Sequence, residues 1–259
     1  MARDFNGSNQ YGQVSLDLTA YSTLSVALWL YPDTIPPALD YDIYLEFTAD
    51  GAATAGGFTM YSGGSEGFVV AHCGNVGTNN AIYTALTADV MIHVVGVFDF
   101  TQGTNEVNFY KDGTLQTATL RPSTSNNTGA FANSTLNIAA RNAASLHADC
   151  RIAELAIYSG DIGATGAGQL AKGFAPSLVL PASLIRYWPM VGRYSPEIEL
   201  KRAEGITLTN SPAAIEHPRI IQPSRRNRGR QWETAAAATG LPGLVGRGFG
   251  LASHRGLVA

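Results

Sequence analysis

Acids at alternate positions are the first feature of this sequence that could do chemistry. Asp40-Tyr41-Asp42 with Glu46 is one set, and Glu197-Ile198-Glu199 is the other. Hydrolysis of a glycosidic bond needs two carboxylates placed across a sugar, one as acid and one as nucleophile or base. Neither set puts three acids in a row on one strand face. The first opens a strand-like run, and the second follows Pro196 in a loop-like stretch. Both read as solvated or turn acids, so a hydrolase is not expected.

Metal ligation is the next chemistry to weigh. His72, His93, His147, His217 and His254 are widely spaced, with no His-x-x-x-His and no Cys-x-x-Cys. Structural zinc, which needs four converging N or S ligands, is therefore not expected. Calcium takes several oxygen ligands. Asp99 and Asp112, with Asn75 and Asn79, are the candidate donors, although aspartates at turns commonly serve the turn itself.

No nucleophile or phosphate site is expected: the Gly63-Gly-Ser-Glu-Gly67 match to Gly-x-Ser-x-Gly lies between two strand-like runs with no helix after it. His72 and Cys73 are adjacent, but strand neighbours point to opposite faces and cannot form a dyad. The glycines of 243–250 follow no strand and open no helix, so they are not a dinucleotide fingerprint. Cys73 and Cys150 are too few for a disulfide framework and read as small buried thiols. Tyr31, Tyr41, Tyr44, Tyr61 and Tyr83 fall near strand ends or loops. Tyrosine there suits sugar stacking, a sandwich edge or a protein interface equally well.

A basic cluster lies near the C-terminus. Arg225, Arg226, Arg228 and Arg230 fall within six residues, with Trp232 beside them and Leu241, Leu244, Val245, Phe249 and Leu251 following. Arginine forks match phosphate or carboxylate. Four cations are modest for nucleic acid, and the apolar residues favour a protein partner bound by strand addition or groove filling. Arg225, Arg226, Arg228, Arg230, Trp232 and Phe249 are thus the predicted partner contacts.

The elements that must position these residues are strands. Leu24, Val26, Leu28 and Leu30 alternate with Ser25, Ala27, Trp29 and Tyr31, a period of two over eight residues. Pro32 and Pro36-Pro37 end the run, since proline cannot donate to a ladder. Further runs fall near 43–48, 57–61, 67–73, 80–86, 91–98, 106–111, 114–120, 134–140 and 150–158, then 185–190 and 205–209. Asp112-Gly113 between two of them reads as a hairpin turn. One short helix is expected near 164–172. Many short strands with turn residues between them predict a two-sheet antiparallel β-sandwich, all-β in class.

The chain has 259 residues, 45% of them hydrophobic and 14% charged, enough for one domain with a full core. Residues 1–218 carry a net charge of −9, while 219–259 carry seven arginines and one acid, Glu233, a net +6. The expected division is a sandwich over 1–218 and an extended basic Gly/Ala/Arg arm over 219–259 that meets something negative. The start has no apolar signal-peptide core, and no run approaches the ~18 apolar residues of a membrane span. The chain is expected to be made in a cytoplasm.

With these elements in order, a family resemblance emerges. Phe5-Asn-Gly-Ser-Asn-Gln-Tyr11 resembles the opening strand of laminin-G-like, concanavalin A-like jelly rolls. Leu24-Ser-Val-Ala-Leu-Trp29 resembles their tryptophan strand. Ile92–Asp99 followed by Val107–Gly113 resembles their paired central strands, and Arg151–Tyr158 their closing strand. The resemblance spans about residues 3–210 and implies two packed antiparallel sheets. It implies no required cofactor, with calcium on the rim loops the one such folds often bind. Glucanases of this kind carry a Glu-x-Asp-x-Glu strand, which this sequence lacks.

The chain looks most like the members found in tailed-bacteriophage virions. That likeness implies a non-enzymatic decoration, cement or minor head protein. Its arm would bind the major capsid protein, other virion proteins or sister copies in a homo-oligomer. The alternative is a lectin-like module of a tail or fibre that binds a surface glycan.

Overall fold

The computed structural model describes residues 2–221, apart from 38–39, 65–66, 76, 103–105, 122–127, 192–194, 203 and 217. Along the chain run β1 (Ala2–Asn6), β2 (Tyr11–Asp17), β3 (Thr23–Pro32), β4 (Tyr41–Phe47), β5 (Gly57–Gly63), β6 (Gly67–Cys73), β7 (Thr78–Tyr83) and β8 (Ile92–Asp99). They continue as β9 (Val107–Lys111), β10 (Thr114–Leu115), β11 (Asn133–Ile138) and β12 (Asp149–Ser159). Then come helix α1 (Gly163–Ala171), a 3-10 turn (Pro176–Leu178), β13 (Leu184–Trp188), β14 (Thr207–Thr209) and β15 (Ala213–Ile215).

The strands form two antiparallel sheets, so the predicted sandwich is what the chain adopts. One sheet has eight strands in the order β10-β9-β8-β3-β12-β1-β15, with β13 also on β12. The other has seven, in the order β14-β2-β11-β4-β5-β6-β7. The alternation in β3 works as read: Leu24, Val26, Leu28 and Leu30 are all fully buried between the sheets. Aromatic side chains join the two layers. Phe58 of β5 meets Phe98 of β8 at 4.8 Å between ring centres, and Phe68 of β6 meets Phe109 of β9 at 4.6 Å. Such contacts add a geometric preference to the large apolar area that each ring removes from water.

Asp112-Gly113 is the hairpin turn the sequence predicts. Lys111 pairs with Thr114, and the two central residues have φ of 49° and 79°, the positive values of a type I′ turn. The run expected over 114–120 shortens to Thr114–Leu115 because the chain then leaves this sheet. Ile82 of β7 donates its N–H to Leu120 of the incoming segment at 2.8 Å, covering an edge that would otherwise present unpaired backbone groups.

The outer faces of the two sheets are treated differently. Helix α1 and the 3-10 turn close over the eight-stranded sheet. There Leu170, Ala167 and Val179 pack with Ala27, Val95 and Tyr158. No helix among the described residues covers the seven-stranded sheet, and none is long and apolar enough to cross a membrane. The compact body is Met1–Gln222. Within it, Ala175 donates its N–H to Ile221 at 3.1 Å and Ile221 bridges Phe174.

Candidate functional site

The uncovered face of the seven-stranded sheet carries polar side chains at alternate strand positions, and they satisfy one another. Gln13 of β2 donates to Asn137 of β11 at 2.9 Å. Thr59 of β5 donates to the Leu45 carbonyl at 3.0 Å. Glu46 of β4 is fully buried, and its Oε1 accepts from the Gly51 N–H at 3.2 Å and from Arg141 Nε at 3.1 Å. Arg141 also reaches Asp50, Nη1 to Oδ2 at 3.3 Å. The burial of Glu46 outweighs its arginine partner and pushes its carboxyl up to about 7.

Arg141 reaches this position through the turn that follows β11. Its N–H donates to the Ser145 carbonyl at 2.8 Å, and Asn142 and Ala143 adopt φ of 46° and 59°. Left-handed backbone at two successive residues folds the turn tightly. The guanidinium is thereby returned over β4.

Beside this ion pair opens a cleft of about 370 Å³. Tyr41, Ile43, Tyr61 and Leu146 provide its aromatic and apolar wall. Asp50, Thr78, Asn80 and Arg141 provide the polar one. Tyr41 and Tyr61 stand edge to face, 5.6 Å between ring centres. The Oδ1 of Asn80 is buried and has no hydrogen-bond partner among the described residues, which carries a desolvation cost. The arrangement offers ring faces and hydrogen-bond acceptors in one recess.

The structure sorts the five tyrosines that sequence left together. Tyr41 and Tyr61 line the cleft. Tyr44 and Tyr83 belong to the core, and Tyr31 lies under the Arg151 guanidinium at 4.4 Å. Of the acids expected to be solvated or at turns, Asp40 is exposed, but Asp42, Glu46, Glu197 and Glu199 are buried. Glu197 is fully buried against Arg3, and Glu199 accepts from the Tyr187 and Lys201 N–H groups at 2.9 and 2.7 Å. Asp42 is only 9% exposed, and burial followed by repulsion from Asp149 pushes its carboxyl up to about 7. Cys73 and Cys150 are buried free thiols.

Asp99 and Asp112, the expected calcium donors, lie apart in the structure. Asp99 Oδ1 accepts from the Thr101 N–H at 2.8 Å and the Thr23 hydroxyl at 2.8 Å, closing its own turn. Asp112 Oδ1 accepts from the His93 N–H at 2.9 Å. They sit at opposite ends of the β8–β9 hairpin, about 20 Å apart at the usual strand rise of roughly 3.3 Å per residue. Among the described residues no group of three or more His, Cys, Asp and Glu side chains converges as a metal would need. Arg225, Arg226, Arg228, Arg230, Trp232 and Phe249 lie outside the described residues.

Two facing antiparallel sheets, one with a helix over it and the other bearing an open tyrosine-walled cleft, form a jelly-roll sandwich. The chain belongs to the concanavalin A-like lectin/glucanases superfamily, whose Laminin_G_3 family matches residues 6–165, more than half of its length. No curated protein matches it. Among solved structures it is similar to a native heptameric SAP-like pentraxin from Limulus polyphemus, with 10% identity and a TM-score of 0.54 over 85% of this chain and 97% of that one. It is also similar to the binding domain of botulinum neurotoxin serotype G, with 12% identity and a TM-score of 0.46 over 66% of this chain. That match spans 46% of the toxin chain. At such identities these likenesses show the fold alone.

The site makes a pH prediction with a definite sign. Glu46 titrates near 4.5 when unfolded and about 7 when folded, so its contribution favours folding at low pH and is lost as pH rises through that window. His72 and His93 act oppositely, because burial lowers them to about 4 and about 3. Denaturant unfolding of wild type and Glu46→Gln at pH 4.5, 6 and 8 should show the variant losing ground steadily as pH falls. Parallel stability curves would remove Glu46 from this role.

Proposed function

We propose that this chain is a non-enzymatic glycan-binding module that takes a sugar in the cleft of the uncovered sheet. The observation that carries this reading is the Tyr41–Tyr61 ring pair sharing one cleft with Asp50, Thr78 and Asn80. Sugar rings present apolar C–H faces to aromatic rings and hydroxyls to polar groups, so a recess of this composition suits them. Asp50 is the one carboxylate among the described lining residues, and Glu46 is turned to Arg141 instead. The opposed pair that glycosidic hydrolysis requires is therefore not what this cleft offers. Binding to an oligosaccharide panel by calorimetry should be weakened about tenfold or more by Tyr61→Ala and by Asn80→Ala, each with an unchanged unfolding midpoint. Full binding by both variants would move the sugar elsewhere.

A second reading concerns placement and rests on charge. The body of net −9 and the segment of net +6 suit a protein anchored by its C-terminal arm. With the phage-like resemblance, this supports a virion protein that decorates or cements a tailed-phage head, assembled as a homo-oligomer. The arm would hold the capsid protein or sister copies through Arg225, Arg226, Arg228, Arg230, Trp232 and Phe249. Truncation after Gln222 should leave a folded body that no longer binds particles in a sedimentation assay. A truncated protein that binds as well as the full chain would end the anchor reading.

A further inference from the structure

We propose that the cleft selects uncharged, hydroxyl-rich saccharides and discriminates against acidic ones bearing carboxylate or sulfate. This rests on the glycan reading above and names the class of sugar. The reason is that the one guanidinium of the lining is already shared by two carboxyl groups.

Arg141 is the only cationic side chain among the described lining residues. Its Nε donates to both oxygens of Glu46, at 3.1 and 3.3 Å, and its Nη1 pairs with Asp50 at 3.3 Å. Two carboxylates thus face one guanidinium, and no surplus positive charge is left for an anion.

The backbone donors of the adjoining turn are also committed. The Gly51 N–H serves Glu46 at 3.2 Å, and the Ala52 N–H serves Asp50 Oδ1 at 3.1 Å. The Ala53 and Thr54 N–H groups serve the Asp50 carbonyl at 3.1 and 2.7 Å. The Thr78 hydroxyl donates to the Ala52 carbonyl. Against this stands the Asp50 carboxylate in the lining.

A ligand without negative charge therefore suits this lining better than an anion. Sugar hydroxyls carry none. A uronate, sialic acid or sulfate would lose its own hydration and meet a carboxylate, and unpaired charge in a partly buried site is costly.

The test compares neutral gluco-, manno-, galacto- and xylo-oligosaccharides with their carboxylated or sulfated counterparts on the full chain, by calorimetry at one pH and salt concentration. Neutral members should bind at least tenfold more tightly than the acidic ones. Asp50→Asn, which removes one carboxylate, should narrow that ratio at least threefold. Acidic members binding as well as neutral ones, or a ratio unmoved by Asp50→Asn, would overturn the selectivity while leaving sugar binding intact. If no saccharide binds at all, the glycan reading falls and the selectivity falls with it.

Discussion

A β-sheet has two faces, and a two-layer sandwich buries only one face of each sheet. What covers the other two decides where function is possible. In this protein α1 and the 3-10 turn spend their apolar side chains on the eight-stranded sheet, with Leu170 and Val179 packed over Val95 and Tyr158. The seven-stranded sheet has no helix over it among the described residues, and the buried polar side chains on its outer side pair with one another. The Arg141–Glu46–Asp50 cluster and the cleft beside it follow from that asymmetry.

The cluster itself is a balance of opposing terms. Taking Glu46 out of water disfavours its charge, and Arg141 with the Gly51 N–H restores only part of that cost. The result is a carboxyl poised near neutrality, buried behind a guanidinium that two acids share. Arg141 is thereby a positioning group that closes one wall of the cleft, and it is not a free cation offered to a ligand. A neutral recess with ring faces is the chemical outcome.

Much of the fold was legible in the sequence because strand signals are local. The period of two in Leu24–Tyr31 placed four leucine and valine side chains in the core, and Asp112-Gly113 placed a turn to the residue. The helix expected near 164–172 lies at Gly163–Ala171. The site was less legible because it depends on distant pairings. Nothing local links Arg141 to Glu46, 95 residues away, and only the β11–β4 register brings them together. Glu197 and Glu199 follow a proline among polar neighbours and look solvated. The fold instead buries them against Arg3 and the Tyr187 and Lys201 amides. Asp99 and Asp112 are candidate metal donors in sequence because turn aspartates and calcium ligands share one residue type. Tyr41 and Tyr61 were visible as candidates, but only β4–β5 pairing separated them from the buried Tyr44 and Tyr83.

The central claim is that the outer face of the seven-stranded sheet is the binding face. Backbone amide shift mapping during titration with a neutral oligosaccharide tests it most directly. The account predicts that the perturbed amides are those of Tyr41, Ile43, Tyr61, Asn80 and the 50–54 turn, with α1 and the eight-stranded sheet unmoved. Saturable shifts confined to the α1 side, or to the rim of Asp33, Asp149 and Arg151, would contradict it.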